Sequence, residues 1–372
     1  MRFSIFHGLG APGDLGNYNQ HMKDAREYAV AAEKYGFWST WYTEHHFGHE
    51  GQELTPNPIM MGVDIAARTS KIRIGQAASI VTFWHPLRLA EDLALLDQLS
   101  DGRLEVGVGR GLYGREALNL NRAADPRDQE KNRALFAETM EILDKAWYND
   151  FFSHKGEFYE FPAPGVKWNH PLSPATPEYT EDGVITKMAV TPRPLQPKLP
   201  LWQVIDTPRS IIGAAENGVQ GIFWLPPVSA LKGRFELYRQ HAAQAQGREV
   251  PLGEGIALVR DVYVADTMEQ AREEFEEAVM NTYRWITHWR GLSNLMEEGE
   301  ELTDAHTLDF DMLMDRNMLV GTPEYVTEKI QELQREVGLE HMMLWTTHPG
   351  LKHQKAMRSL ELFSEKVKPH FD

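Results

Sequence analysis

The chain contains no cysteine, no dense run of basic residues and no long hydrophobic stretch. Without cysteine it forms no disulfide and offers neither a thiolate metal site nor a cysteine nucleophile. A net charge of −16 disfavours nucleic acid as a partner. No apolar run approaches the ~20 residues that span a bilayer, and residues 1–6 lack the pattern of a signal peptide. These absences predict a cytoplasmic protein that binds neither a membrane nor nucleic acid.

What the chain does contain is an alternation of short apolar runs with helical patterns, which is typical of βαβ units. The candidate strands are residues 2–8, 37–43, 72–81, 104–109, 201–205, 221–225, 255–264 and 341–346. Eight parallel strands close into a barrel, and a chain of 372 residues fits one such barrel with insertions. The sequence therefore predicts an α/β fold: a TIM-like (β/α)8 barrel with long insertions after the later strands, forming a single domain over residues 1–372.

Two segments interrupt the alternation of strands and helices. Residues 161–200 are rich in proline, which predicts a long irregular insertion. Residues 291–318 contain four glutamates between 297 and 301, which is typical of a solvated or mobile segment. Long loops in a compact domain are usually lids or disordered regions. We therefore expect either segment to be able to cover the barrel mouth, and the second to act as an acidic lid.

Two adjacent histidines, His45 and His46, follow the second candidate strand between Glu44 and Phe47. In βα barrels the active site is built at the C-terminal ends of the strands. Successive side chains of a strand point to opposite faces, so the two rings are unsuited to binding one metal. The segment is either one functional histidine beside a structural one, or a pair of satisfied polar groups at a strand end.

A glycine-rich turn, from Gly109 to Gly114, follows the fourth candidate strand. It formally matches the dinucleotide fingerprint, but only a short helix and no ribose-binding acid follow at the required spacing. The glycines could instead admit a planar ligand, with Arg110 as a cation for phosphate. A tight turn with a surface arginine would explain the same pattern.

A polar turn after the fifth candidate strand opens a helix. Backbone N–H groups, the hydroxyls of Thr207 and Ser210, and Arg209 would together make an anion site beside Asp206. The alternative is that Thr207 only caps the helix, with Pro208 at its first position.

The third candidate strand ends in small residues followed by bulky aromatic ones. Ala77 and Ala78 could let an isoalloxazine-sized ring lie against the strand, and Phe83 and Trp84 could wall an apolar pocket.

Together these segments resemble the bacterial luciferase-like, flavin-dependent monooxygenases, especially the luciferase catalytic subunit. The matching motifs are Trp41-x-x-Glu44-His45-His46-Phe47, His85-Pro86-x-Arg88-x-x-Glu91-Asp92-x-x-Leu95-Leu96-Asp97-Gln98 and Gly102-Arg103…Arg110-Gly111-Leu112-Tyr113. The resemblance implies a TIM-like barrel with FMN at its mouth. Gly109 stands where luciferase has a reactive cysteine, and the proline-rich insertion is longer than in luciferase, so light emission does not follow from the resemblance.

The resemblance also implies roles for individual residues. His45 matches the catalytic histidine and Arg110 the phosphate-contacting arginine. Asp206 and Thr207 match a Glu-Ser pair near the phosphate and ribityl chain, where Arg209 and Ser210 are expected to contribute. Ala77 and Ala78 match a pair joined by a non-proline cis peptide beneath the flavin ring. The water-excluding substrate pocket is expected to consist of Phe47, Phe83, Trp84, Tyr113 and Trp224.

The activity implied is that of a two-component monooxygenase. An NAD(P)H:flavin reductase would supply reduced FMN, and O2 would oxygenate an apolar aldehyde, ketone or terpene-like molecule by way of a C4a-hydroperoxyflavin. A homodimer is expected, as is common among relatives. The alternatives are a deazaflavin-dependent dehydrogenase of the same superfamily, a non-catalytic flavin-binding partner subunit, and a metal-dependent barrel hydrolase, which the lack of paired histidine ligands disfavours. No metal is expected.

Overall fold

The structure of the protein is a computed structural model that describes residues 1–371. It divides into two compact units. The first, which we call the barrel unit, comprises Met1–Ala78, Glu105–Gly107 and the chain from Pro200 onward. The second unit comprises Ser79–Leu104 and Val108–Leu199. The expectation of a single domain over residues 1–372 stays a prediction.

Strands and helices alternate along the chain. The strands are β1 (Arg2–His7), β2 (Ser39–Tyr42), β3 (Arg73–Gln76), β4 (Ser79–Ile80), β5 (Leu104–Gly109), β6 (His154–Lys155), β7 (Glu160–Phe161), β8 (Thr180–Glu181), β9 (Val184–Ile185), β10 (Leu201–Val204), β11 (Gln220–Phe223), β12 (Ile256–Val264), β13 (Met318–Gly321) and β14 (His341–Trp345). The α-helices are α1 (Tyr18–Lys34), α2 (Pro58–Ala66), α3 (Pro86–Leu99), α4 (Gly114–Leu120), α5 (Gln129–Tyr148), α6 (Pro208–Glu216), α7 (Val228–Gln246), α8 (Met268–Arg290), α9 (Phe310–Arg316), α10 (Pro323–Val337) and α11 (His353–Leu362). None of the helices within residues 1–371 has the length and hydropathy needed to cross a bilayer.

Eight strands form the closed sheet of the barrel unit. Their order is β10–β11–β12–β14–β1–β2–β3–β5, and β5 pairs back with β10. The pairing is parallel, with Phe3 beside Met342 and Gly221 beside Ile256. Since helices separate successive strands, this is a TIM-like (β/α)8 barrel. The predicted fold class is confirmed, and each of the eight predicted strands is present, although residues 72–81 divide into β3 and β4.

Large apolar side chains fill the barrel interior. We call them the interior cluster: Phe6, Trp41, Ala77, Trp202, Ile222, Ala257, Val259, Ile286, Met343 and Trp345. The indole of Trp41 lies over Gly75, where an added Cβ would come 2.2 Å from the ring. Glycine is therefore needed at this position for the ring to fit. Trp202 donates its indole N–H to buried Glu105 over 2.6 Å, so this polar atom is satisfied.

The segment at residues 291–318 contains more regular structure than the sequence indicated. It includes α9, whose first N–H groups are capped by Asp309, which accepts from Met312 N–H at 2.8 Å. Leu295, Phe310 and Leu313 are buried in one cluster with α8 side chains. The glutamates between 297 and 301 made the whole segment look solvent-exposed in the sequence, so the short helix α9 was not predicted. A role for the segment as a lid stays a prediction.

The second unit contains α3, α4, α5 and the short strands β4, β6 and β7, together with nearly all of the proline-rich segment at residues 161–200. In that segment, the strands β8 and β9 form a two-residue antiparallel pair, and most other residues lie outside regular structure. Asp97 of α3 anchors the end of the segment, since its carboxylate accepts the backbone N–H of Gln196 at 2.9 Å and the side-chain amide at 2.7 Å.

Candidate active site

The loop that follows β2 is fixed by backbone hydrogen bonds to distant residues. His45 N–H donates to Thr55 O, and Leu54 N–H donates to Leu9 O, both at 2.9 Å. Ala11 N–H donates to the carbonyl of Gly51 at 2.6 Å. Gly51 has φ +82°, and a Cβ there would lie 2.5 Å from Ala11 O. The loop therefore turns back on itself at a position that only glycine tolerates.

Each of the two adjacent histidines is paired with its own carboxylate. His46 Nε2 lies 3.0 Å from Oε1 of Glu44, whose side chain is 1% exposed. His45 Nε2 lies 3.1 Å from Oε1 of Glu53, and both side chains are 18% exposed. His45 is thus the histidine whose carboxylate partner is accessible. Its catalytic role stays a prediction, and no group of three metal-binding side chains occurs within residues 1–371.

Glu53 is a member of this site that the sequence analysis missed. The second oxygen of its carboxylate, Oε2, accepts the indole N–H of Trp285 from α8 at 3.1 Å. Trp285 in turn packs against the interior cluster. No periodicity or motif marks Glu53, and 232 residues separate it from Trp285. Only the folded barrel brings these groups together.

His7, at the end of β1, provides a contrast with His45. Its ring is fully buried and stacks on Tyr42 at 4.8 Å with an interplanar angle of 2°. Burial lowers the pKa of His7 to about 3, because the charged form loses its hydration. His7 therefore stays neutral at physiological pH and is poorly suited to exchanging protons with a substrate.

Ala77 and Ala78 follow β3 and are joined by a cis peptide bond, as the resemblance implied. Both side chains are buried, and Ala77 belongs to the interior cluster. The small methyl groups leave the strand end without bulky side chains at this point. Their placement beneath a flavin ring stays a prediction.

The turn between β10 and α6 is a helix cap. Thr207 Oγ1 accepts Ser210 N–H at 3.3 Å, and Ser210 Oγ accepts Thr207 N–H at 3.0 Å. The two hydroxyls therefore form a reciprocal capping box, with Pro208 at the first helical position. The capping function that the sequence offered as an alternative is present, and a role for this turn in phosphate binding stays a prediction.

Two further arginines, which the sequence analysis missed, belong to the surroundings of Asp206. Arg290, the last residue of α8, donates to Asp206 Oδ2 at 2.8 Å, with both side chains about a quarter exposed. Burial lowers the pKa of Arg234, and the charges of Asp206 and Glu298 oppose that effect. The Nη1 atom of Arg234 is buried and has no hydrogen-bond partner within residues 1–371. With Arg209, which is exposed, this turn therefore has three arginines on or near it.

Trp224 lies at the end of β11 and packs against the interior cluster. Its ring centroid is 5.0 Å from that of Trp345 and 6.0 Å from that of Tyr283. The indole N–H groups of Trp224 and Trp345 are both buried and find no acceptor within residues 1–371. Because buried donors normally have a partner, these two point to an acceptor from a ligand or water.

Arg110 belongs to the second unit, where α5 holds its guanidinium. The Nη1 atom donates to Asn132 Oδ1 at 2.8 Å and to Gln129 Oε1 at 3.3 Å. Asn132 returns a bond from its amide to Arg110 O at 3.0 Å. Asn132 is a supporting residue that the sequence did not reveal, and the phosphate-contacting role of Arg110 stays a prediction.

The aromatic residues of the second unit include three of the predicted pocket residues. The Phe83 ring lies on Gly111, where φ is +83° and an added Cβ would come 2.7 Å from the ring. The glycine of this turn therefore serves aromatic packing. Tyr113 is buried, and Phe83 and Trp84 are half-buried. Phe47, in the barrel unit, has φ 61° and is 51% exposed, so the structure places it at the surface of its loop. Pocket roles for these residues stay predictions.

The chain matches a known family. The family model of luciferase-like monooxygenases matches residues 1–341, and the chain belongs to this family. The family resemblance found from sequence motifs is therefore confirmed, and the chain is a flavin-dependent monooxygenase of luciferase-like type.

Two characterised relatives match almost the full chain. The oxygenase component of the flavin-dependent trigonelline monooxygenase of Acinetobacter baylyi is 26% identical over 100% of this chain and 96% of its own. The alkanal monooxygenase alpha chain of Photobacterium leiognathi is 27% identical, over 96% and 95%. Among solved structures, the oxygenating constituent of 3,6-diketocamphane monooxygenase from Pseudomonas putida, in complex with FMN, superimposes with a TM-score of 0.77 at 24% identity, covering 99% and 98% of the two chains. This last likeness concerns the fold.

Proposed function

We propose that this chain is the oxygenase of a two-component system, in which a separate NAD(P)H:flavin reductase supplies reduced FMN. With O2, the chain would oxygenate an apolar small molecule such as an aldehyde, a ketone or a terpene-like compound. The observation that carries the proposal is the partly exposed His45–Glu53 pair at the end of a barrel strand, linked through Trp285 to an interior rich in tryptophan. The Acinetobacter baylyi relative, named an oxygenase component, supports the separate reductase.

The residues of the barrel unit fit a flavin. Two buried indole N–H groups, of Trp224 and Trp345, lack acceptors, and the flavin ring carries carbonyl oxygens that accept hydrogen bonds. The FMN in the Pseudomonas putida structure supports FMN as the flavin. When bound, FMN would supply the chemistry that activates O2.

The chain's own residues would bind the flavin, orient the reacting groups and exclude water. His45 would hold or accept a proton at its imidazole, since this ring titrates near neutrality in its unperturbed state. The cofactor residues are those named from the resemblance: Ala77, Ala78, Arg110, Asp206, Thr207, Arg209 and Ser210. The aromatic residues Phe47, Phe83, Trp84, Tyr113 and Trp224 would keep water from the reacting centre, where it would otherwise divert oxygen to H2O2.

The test is incubation of the purified chain with photoreduced FMN, ¹⁸O2 and a panel of aldehydes, ketones and terpenes. The expected result is one ¹⁸O atom in a product, with less H2O2 released than in the absence of that substrate. Substrate oxidation without O2 in the presence of a deazaflavin, with no ¹⁸O in any product, would instead identify a dehydrogenase. Release of H2O2 unchanged by every substrate would favour a non-catalytic flavin-binding subunit.

The assembly state and location complete the proposal. We expect a homodimer in the cytoplasm, with the reductase as a functional partner. Light scattering should give a particle of twice the chain mass of 42.5 kDa. A particle of the single-chain mass at micromolar concentration would contradict the dimer without affecting the proposed reaction.

A further inference from the structure

We propose that Glu53 is the positioning residue of His45, and that Trp285 holds Glu53 in place for this task. The inference rests on the proposed function, in which His45 meets the reacting centre. Its basis is the continuous chain of contacts from His45 Nε2 to Glu53 Oε1 at 3.1 Å, and from Glu53 Oε2 to the indole N–H of Trp285 at 3.1 Å.

The carboxylate of Glu53 influences which nitrogen of His45 carries the proton. An ionised carboxylate only accepts hydrogen bonds, and a neutral imidazole has one N–H group. Since Glu53 faces Nε2, this contact favours the neutral ring that carries its proton on Nε2. The carboxylate also stabilises the imidazolium that forms when the ring takes up a second proton. This is the arrangement of an orienting acid behind a catalytic base.

The carboxylate of Glu53 is held in place through both of its oxygens. A glutamate side chain has three rotatable bonds and is expected to wander when it is partly exposed. Both oxygens of Glu53 are engaged, one by His45 and the other by Trp285. Trp285 is itself held, because it packs on the interior cluster of the barrel. The orientation of His45 is thus tied to α8 and to the barrel core.

The loop that carries Glu53 is fixed by backbone contacts. Its neighbour Leu54 is tied to Leu9, and Gly51 is tied to Ala11. Gly48 accommodates the same turn, since an added Cβ at that position would lie 2.4 Å from Glu53 O. The backbone on both sides of Glu53 is therefore held by contacts within the chain, which is what a preorganised site requires.

The closing experiment uses the full chain and the variant Glu53→Leu, which removes the acceptor at nearly constant size. In ¹⁵N NMR spectra of histidine-labelled protein without FMN, with His45 assigned by its absence in His45→Gln, the wild type should show the Nε2–H tautomer. Glu53→Leu should give a mixture of tautomers. Glu216→Gln, which alters the carboxylate of another histidine–glutamate pair, with His241, should leave the His45 tautomer as in the wild type.

Kinetics provide the second readout. Glu53→Leu should lower kcat for oxygenation about 10- to 100-fold, with little change in substrate KM or FMN affinity, since orientation and not binding is lost. Glu53→Gln keeps an acceptor without its charge, so it should keep the tautomer and recover part of kcat. If Glu53→Leu fails to fold, Trp285→Phe tests the same linkage from the other end, with a smaller fall in kcat.

The outcomes separate the two proposals. An unchanged His45 tautomer in Glu53→Leu, or in Trp285→Phe if that variant has to be used, would overturn the positioning role even if the enzyme oxygenates. Normal kcat in the same variant would overturn it as well. A wild type without oxygenase activity, but with the expected tautomer and its loss in the variant, would overturn the proposed function and leave the His45–Glu53 linkage supported.

Discussion

The loop after β2 and the turn after β10 are both polar segments at the ends of barrel strands, yet they are built differently. The loop carries His45 and Glu53, and it is held by bonds to residues far away in the sequence, Leu9 and Trp285 among them. The turn carries Thr207 and Ser210, whose hydroxyls and N–H groups satisfy one another within four residues. The loop after β2 is thus a long-range construction, whereas the cap formed by Thr207 and Ser210 is local, even though the neighbouring Asp206 pairs with the distant Arg290.

This difference has a functional meaning. A long-range construction can hold a proton-transferring group in a single orientation, because several elements determine its position. A local cap presents backbone N–H groups at a helix N-terminus whatever the rest of the protein does, which suits an anion. We therefore expect changes in the loop after β2 to affect the chemical step, and changes in the turn after β10 to affect cofactor binding.

The largest effect is expected for His45→Ala. Loss of a general base or hydrogen-bond partner should cut product formation by at least ~10²-fold. Binding of FMN, measured by fluorescence titration, should stay nearly the same, because the turn after β10 is untouched. An unchanged turnover, or a fall in FMN affinity as large as the fall in turnover, would contradict the assignment of the loop after β2 to the chemical step.

A second variant, Gly51→Ala, tests the backbone conformation of the same loop. Glycine at φ +82° is replaced by a residue that disfavours this conformation, and its Cβ would lie 2.5 Å from Ala11 O. We expect a loss of about 2 kcal/mol in the free energy of unfolding by urea. Gly13→Ala is the matched control, since it has φ +74° and nothing within 4 Å. Equal losses in the two variants would mean that the close approach to Ala11 contributes nothing.

The difference between local and long-range contacts also explains which features could be predicted from the sequence. The eight strands and the cap at Thr207 follow from patterns within a few residues, so they were predictable. His45 was found because it directly follows a strand. Glu53 and Arg290 were not found, since Glu53 meets Trp285, and Arg290 meets Asp206, only in the closed barrel. No local pattern records a contact between residues so far apart in the chain.

A third variant, Arg110→Ala, tests whether this arginine acts in FMN binding or in the chemical step. If the arginine contacts the phosphate, its loss removes a charge-assisted hydrogen bond, and FMN affinity should fall about tenfold. At saturating FMN, kcat should remain close to that of the wild type. The control is Arg133→Ala on α5, which removes an arginine paired with Glu130. A fall in kcat with unchanged FMN affinity would mean that Arg110 acts in the chemical step and not in FMN binding.

The smallest effect tests whether the turn after β10 is more than a cap. Thr207→Ala should lower the free energy of unfolding by about 1 kcal/mol, as is usual for the loss of an N-cap. Thr322→Ala is a close match, because Thr322 caps α10 by accepting Tyr325 N–H, and a proline follows it too. Both variants should lose similar stability, but only Thr207→Ala should also weaken FMN binding, by several-fold. Equal FMN affinities would leave the turn as a structural cap and would assign the phosphate to the arginines alone.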